Sequence, residues 1–236
     1  MKELIFNNPY QVNALLVDHG FLLFQWPQYI ADEIITEILN LSHSIEHIEH
    51  IIDVVPAYTS LGIFYDVKRT NHKKILEKIK TTQVQKLKDK GTKVIQVPVC
   101  YDPLFASDIG YLSSSLDLTI SEIINIHSTP TYRVSFIGFL PGFMYLSGMD
   151  NRLKTPRRTE PRPVVPSGAV AIGGNQTGIY PLSSPGGWHI IGRCPLLLFD
   201  KRAKIPSKFI AGDLIKMVAI TKEEFDSVYQ KEYNND

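Results

Sequence analysis

One stretch limits what this chain can become. Residues 133–200 read RVSFIGFLPGFMYLSGMDNRLKTPRRTEPRPVVPSGAVAIGGNQTGIYPLSSPGGWHIIGRCPLLLFD. Glycine and proline crowd it, and both interrupt helices and central strands. Aromatic and β-branched residues nevertheless run between them. Burying such residues offsets the entropy of ordering a chain, so the segment does not read as a disordered linker. Many short strands with Gly/Pro turns indicate a closed or nearly closed β-barrel. The grouped glycines Gly173-Gly174 and Gly186-Gly187 read as backbone brought close to something, with Gln176, His189 and Arg193 at hand.

The residues before this stretch have a different pattern. Apolar runs at 10–17 and 21–26 flank Asp18-His19-Gly20, a hairpin turn, and Pro27 stops the second strand. Residues 31–45 place Ile34, Ile35, Ile38, Leu39 and Leu41 at helical spacing. Strand-like runs follow at 51–55 and 61–67. A second helix is predicted over 71–87, capped by Asn71, with Ile75, Leu76, Ile79 and Val84 as its stripe. The order ββαββα suggests a small, ferredoxin-like α/β unit with helices on one face of a sheet. Lys86, Lys88, Lys90 and Gly91 end the second helix, so the domain boundary is expected there, giving 1–91 and 92–221. The second part opens with a strand at 93–99 and two short helices at 108–115 and 119–126. The second of these helices carries the Thr119/Glu122 capping box. The tail 222–236 is expected to be a short polar helix that frays. The expected class is therefore α+β.

Composition excludes several functions. The formal net charge is +1, so there is no bulk attraction to nucleic acid or anionic lipid. No apolar run approaches the ~20 residues of a membrane span. The N-terminal MKELIFNNPY does not read as a secretory signal. The cysteines Cys100 and Cys194 lack zinc or redox spacing, and a cytoplasmic setting is the simplest expectation.

Individual constellations have competing readings. His43, His47 and His50 lie at helical spacing, but interleaved Glu46 and Glu49 favour a solvated polar face, so no metal is expected. The segment SEIINIH carries no Arg or Lys for DNA, and its helix reads as packing. The run Gly173-Gly174-Asn175-Gln176-Thr177-Gly178 lacks the GxxxxGK[ST] pattern and is either a tight β-turn or an anion-holding backbone nest. Ser183-Ser184 has neither a Gly-x-Ser-x-Gly elbow nor an amidase-type serine run, so no covalent serine mechanism is assigned. Arg157, Arg158 and Arg162 lie among prolines 156, 161, 163 and 166. They form either a solvated loop or an extended arm touching a partner or an anion. Phe139 and Phe143 surround a Pro-Gly turn, as core packing or as a groove wall.

The motifs DVVPAYTSLGIFYD (53–66), VPVCYD (97–102) and the long stretch from FIGFLPGF to LLLFD resemble the KipI/PxpB family. The family is also called allophanate hydrolase subunit 1, or the B half of the carboxyltransferase domain. Thr59 departs from it, standing where arginine is common. The resemblance implies an N-terminal α/β domain followed by a cyclophilin-like β-barrel. It implies the B subunit of an ATP-dependent 5-oxoprolinase, acting with subunits A and C to open 5-oxo-L-proline to L-glutamate. It also allows a KipI-type inhibitor of a sporulation histidine kinase, or a carboxyltransferase-type subunit for another amide or urea-like substrate. ATP is expected to be used by the complex. Lactam opening needs donors for oxyanion charge and a cation for the substrate carboxylate. On this reading Arg193 and Arg133 are the expected carboxylate ligands. Gln176 and His189 would donate to oxygen, and His127 or His189 would move protons. Phe139, Phe143, Gly186 and Gly187 would line the substrate, and Arg157, Arg158 and Arg162 would contact a partner or anion.

Overall fold

In a computed structural model, residues 2–4, 10–86 and 94–233 are described. The chain divides into two compact units, Met1–Gly91 and Thr92–Asp236. Residues 87–93, where a helix end, a domain boundary and a strand start are expected, lie outside the described residues.

The first unit runs β1 (Lys2–Leu4), β2 (Asn13–Asp18), β3 (Phe21–Gln25), α1 (Asp32–Ile45), β4 (Ile51–Pro56), β5 (Ser60–Tyr65) and α2 (His72–Thr81). Its five-stranded sheet has the order β1-β2-β3-β5-β4. Every neighbouring pair in it is antiparallel. Strand residues alternate between faces. Ala14, Leu22, Phe24, Leu61, Ile63 and Tyr65 therefore meet Ile34, Ile38 and Ile45 of α1 and Ile75 and Ile79 of α2 in one core. Strand β1 extends the expected ββαββα order. Helix α2 ends earlier than its apolar spacing suggests. Thr81 and Thr82 turn their hydroxyls onto the Lys78 carbonyl, an alternative to further helix, and Val84 lies exposed beyond the end. Among the described residues no helix is long and apolar enough to cross a membrane.

The second unit is a closed barrel with two short strands beside it. Its elements are β6 (Ile95–Cys100), α3 (Ile109–Leu116), α4 (Ile120–Ser128), β7 (Thr131–Ile137), β8 (Met144–Ser147), a 3₁₀ turn (Asn151–Leu153), β9 (Arg162–Val165), β10 (Ala169–Gly173), β11 (Gln176–Ile179), β12 (Ser184–Gly186), β13 (His189–Arg193), β14 (Leu214–Ile220) and α5 (Lys222–Tyr233). The barrel order is β10-β11-β8-β7-β14-β6-β13, closed by β13 on β10. Strands β6 and β14 pair in parallel, Ile95 against Ile215 through Cys100 against Ile220. The capping box of α4 forms as expected: Thr119 Oγ1 accepts from the Glu122 amide and Glu122 accepts from the Thr119 amide.

Strand β10 is buried along its whole length, because both of its faces are covered. Val170 and Ile172 join the main core with Val134, Leu146, Ile191 and Met217. Ala169 and Ala171 face a second apolar cluster of Phe143, Val165, Tyr180, Trp188 and Ile190. Helices α3 and α4 add Leu112, Ile123 and Ile126 to the main core. The C-terminal helix is formed through Tyr233. Phe225, Tyr229 and Tyr233 recur every fourth residue and stack in series, Phe225 also meeting Phe105 at 4.4 Å.

Candidate functional site

The second apolar cluster is aromatic, and it explains two glycines. Phe143 packs edge-on to Tyr145, Tyr180 and Trp188, with centroids 4.8, 5.1 and 5.7 Å away. A Cβ added at Gly173 would lie 2.5 Å from the Trp188 ring, and one at Gly186 would lie 2.6 Å from the Tyr180 hydroxyl. These glycines admit the protein's own rings, rather than the ligand contact expected of Gly186. Gly187 is likewise used internally: its carbonyl accepts from the Arg158 amide at 2.8 Å. Phe143 is 1% exposed and belongs to this core, so it is no groove wall. Phe139 differs. It is 60% exposed and its φ is +67°, a conformation that bulky side chains rarely adopt. Its ring meets Phe143 and Tyr180 edge-on.

The proline-rich arm 155–166 lies against this cluster. Thr155 pairs with Gly174 in both directions, at 3.0 and 2.7 Å. The Gly174 amide is thereby bonded to a carbonyl, so the Gly173–Gln176 turn does not offer it to an anion. Gln176 is the half-buried end of that turn, registered with Gly173. Arg162 is registered with Gly186 across β9 and β12. Asp108, buried at the head of α3, holds the arm from beneath. Its Oδ1 accepts from Arg162 at 2.6 Å and from Arg158 at 3.3 Å, and its Oδ2 accepts from the Ile190 amide at 2.7 Å. Two of the three arm arginines are therefore internally paired, against the expectation that all three are presented. Arg157 is exposed, with its guanidinium carbon 5.8 Å from the Trp188 ring centre. In the sequence Asp108 reads as an ordinary helix start, and only its place ahead of α3 marks it.

The two histidines differ in use. His127 is 0% exposed inside the second unit's main core. Thr177 donates to the Ala171 carbonyl at 3.1 Å, so its oxygen accepts from His127 Nε2 at 2.9 Å. That leaves Nδ1 as acceptor for the Tyr101 hydroxyl at 2.7 Å. Both nitrogens are thus satisfied, and burial pushes the imidazole down to about 3. A group held neutral and sealed has no route to a substrate proton, which removes His127 from the expected catalytic set. His189 is also buried, stacked on exposed Tyr111 with centroids 5.3 Å apart. Its Nε2 bonds the Pro156 carbonyl at 3.0 Å, while Nδ1 has no partner among the described residues.

The expected carboxylate ligands lie elsewhere. Arg193 donates Nε to the Ser167 carbonyl at 3.0 Å. Its guanidinium carbon lies 5.7, 5.8 and 5.7 Å from the ring centres of Phe105, Phe225 and Tyr229. Helix α5 thus occupies the arginine that was expected to hold substrate. Arg133 is registered with Ser147 and Leu214 on β7. It lies four residues before Ile137, or about 13 Å along the strand from the end that leads into the Phe139 loop. The structure gathers Phe139, Tyr145, Arg157, Tyr180 and Trp188 into one exposed-edged cluster, of which the sequence had singled out Phe139 and Arg157.

Known proteins are similar to this chain along most of its length. The family described as "Carboxyltransferase domain, subdomain C and D" matches residues 12–209. The 5-oxoprolinase B subunit of Bacillus subtilis (strain 168) is 36% identical over 201 residues, 78% of this chain and 81% of that one. The 5-oxoprolinase B subunit of Haemophilus influenzae is 40% identical over 171 residues, 72% of this chain and 80% of that one. The crystal structure of TTHA0988 matches 86% of this chain with a TM-score of 0.78 and 31% identity. The chain spans 41% of the length of TTHA0988.

Proposed function

The chain belongs to the family of carboxyltransferase domains, subdomains C and D, and on that premise we propose that it is the B subunit of an ATP-dependent 5-oxoprolinase. The complex would open the lactam of 5-oxo-L-proline to L-glutamate, with subunits A and C completing the active site. The observation that carries this reading is identity spread over most of both chains, in relatives that bear the 5-oxoprolinase name. A lactam is a stabilised amide, so phosphorylating its oxygen is a chemically sensible use of ATP. The glycine turn offers little to a nucleotide: the Gly174 amide is bonded to the Thr155 carbonyl, and no phosphate-loop lysine follows the turn. We assign ATP to the other subunits. This chain's part would be to present a rigid face to a shared site, with the aromatic cluster braced by the Asp108-held arm. His189 and Gln176 are the remaining candidates for hydrogen bonds to substrate oxygen or nitrogen.

Reconstitution tests the proposal. The chain is combined with candidate A and C subunits, ATP and 5-oxo-L-proline, and glutamate is measured with and without it. Glutamate that requires this chain is the expected result. Turnover that persists in its absence would refute the assignment. So would no turnover when a related B-type chain of known activity restores it.

A further inference from the structure

The arm presents a cation beside an aromatic surface, and little inside the protein answers that cation. Asp108 takes Arg158 and Arg162, yet among the described residues Arg157 has no ion-pair partner. Arg157 and Arg158 are adjacent, but an extended chain turns neighbouring side chains to opposite sides. Arg158 goes down to the buried carboxylate, and Arg157 stays over Trp188. The nearby phenols do not supply a counter-charge. Burial raises the pKa of Tyr145 and Tyr180, and the opposing field of Arg157 does not reverse this, so both remain neutral hydroxyls. Beside them, Phe139 is held outward in a strained left-handed conformation. A buried aromatic would relieve its exposure; this one is kept in water. A fixed guanidinium fork recognises a carboxylate through paired N–H donors, and an exposed ring offers a flat apolar wall. The two are linked through continuous ring contacts, Phe139 to Phe143 to Trp188 to Arg157.

We propose that Arg157 and Phe139 form the recognition half-site for a small cyclic amide bearing a carboxylate, with the guanidinium taking the carboxylate and the phenyl ring facing the lactam. This rests on the 5-oxoprolinase reading for the identity of the ligand. It replaces Arg193 and Arg133 as the substrate cation. Because the face is open on one side, the remainder of the site comes from the partner subunits.

The test uses the full chain and two probes, 5-oxo-L-proline and 2-pyrrolidinone, the same ring without its carboxylate. Indole N–H signals are followed by NMR, with Trp26 as the internal control. Trp26 belongs to the other unit and donates to Glu37 at 2.9 Å. Expected is a saturable shift of Trp188 alone with 5-oxo-L-proline. Arg157→Ala should weaken it about tenfold or more, Arg157→Lys should be intermediate, and 2-pyrrolidinone should bind weakly to all three. The same variants are read in the reconstituted complex, where Arg157→Ala should raise KM by a similar factor. Equal affinity of Arg157→Ala and wild type, or equal binding of the two probes, overturns the proposal. If the free chain shows no shift, an unchanged KM for Arg157→Ala in an active complex overturns it. Carboxylate-dependent binding to a chain whose complex makes no glutamate would instead sink the functional reading and leave the half-site standing.

Discussion

Two segments fold onto the outside of the barrel, and each captures arginines by different chemistry. The arm 155–166 is drawn in by a buried carboxylate, Asp108, which takes two guanidinium groups and a backbone amide. Helix α5 lays an aromatic stripe over Arg193, whose charge meets ring faces and one carbonyl. Carboxylate capture is demanding, because a buried carboxylate and two partly buried guanidinium groups lose water together and the carboxylate needs its partners. Aromatic capture is looser, since each ring contributes modestly and no buried ion is stranded if one is lost. The contrast shows why arginines so close in composition have different fates. Arg158, Arg162 and Arg193 hold the fold together, and Arg157 is left to face outward.

The largest effect expected follows from that difference. Asp108→Ala leaves two partly buried guanidinium groups without their carboxylate, and should cost about 3–5 kcal/mol of unfolding free energy in urea titrations. Asp108→Asn keeps an acceptor for the Ile190 amide and should cost less. A loss below about 1 kcal/mol for Asp108→Ala would mean the arm is held by its prolines and strand pairing instead. Arg193→Ala should cost about 2 kcal/mol, with α5 losing protection from hydrogen exchange before the barrel does. Equal losses for the Asp108 and Arg193 variants would erase the distinction between the two modes of capture.

The arm's exposure of arginine was legible in the sequence, and its pairing was not. Four prolines announce an extended segment, but the carboxylate that receives Arg158 and Arg162 lies 50 and 54 residues earlier. The α1 stripe, the turn after β2 and the Thr119 capping box are local, so spacing alone revealed them. The parallel pairing of β6 with β14 joins distant segments and leaves no periodic trace. The glycines misled for a physical reason. A missing Cβ signals close approach, but cannot tell a ligand from Trp188 or Tyr180. The tail's aromatic stripe went unread because it is three residues in an otherwise polar helix.

Acid should act beneath both segments, on the barrel interior. His127 is neutral in the fold, with its pKa pushed from 6.5 to about 3. Below pH 6.5 the unfolded chain binds a proton that the folded chain refuses, so stability is full above that pH and falls as pH drops toward 3. The slope from this group approaches about 1.4 kcal/mol per pH unit. His127→Gln should flatten that part of the curve of urea midpoint against pH. An unchanged slope would assign the acid response to other groups.

The smallest effect on stability belongs to the residue with the largest expected effect on ligand binding. Arg157 is exposed, makes one cation–π contact and has no ion-pair partner among the described residues. Its replacement by alanine should change unfolding free energy by no more than ~0.5 kcal/mol, as for ordinary surface positions. Arg158→Ala, one residue on, removes a partner from Asp108 and should cost measurably more. The pair of variants therefore divides the arm at a single peptide bond, with structure on one side and recognition on the other. A stability loss for Arg157→Ala as large as that for Arg158→Ala would place both arginines in the architecture. Carboxylate recognition would then need a cation from a partner subunit, because Arg193 is already enclosed by α5.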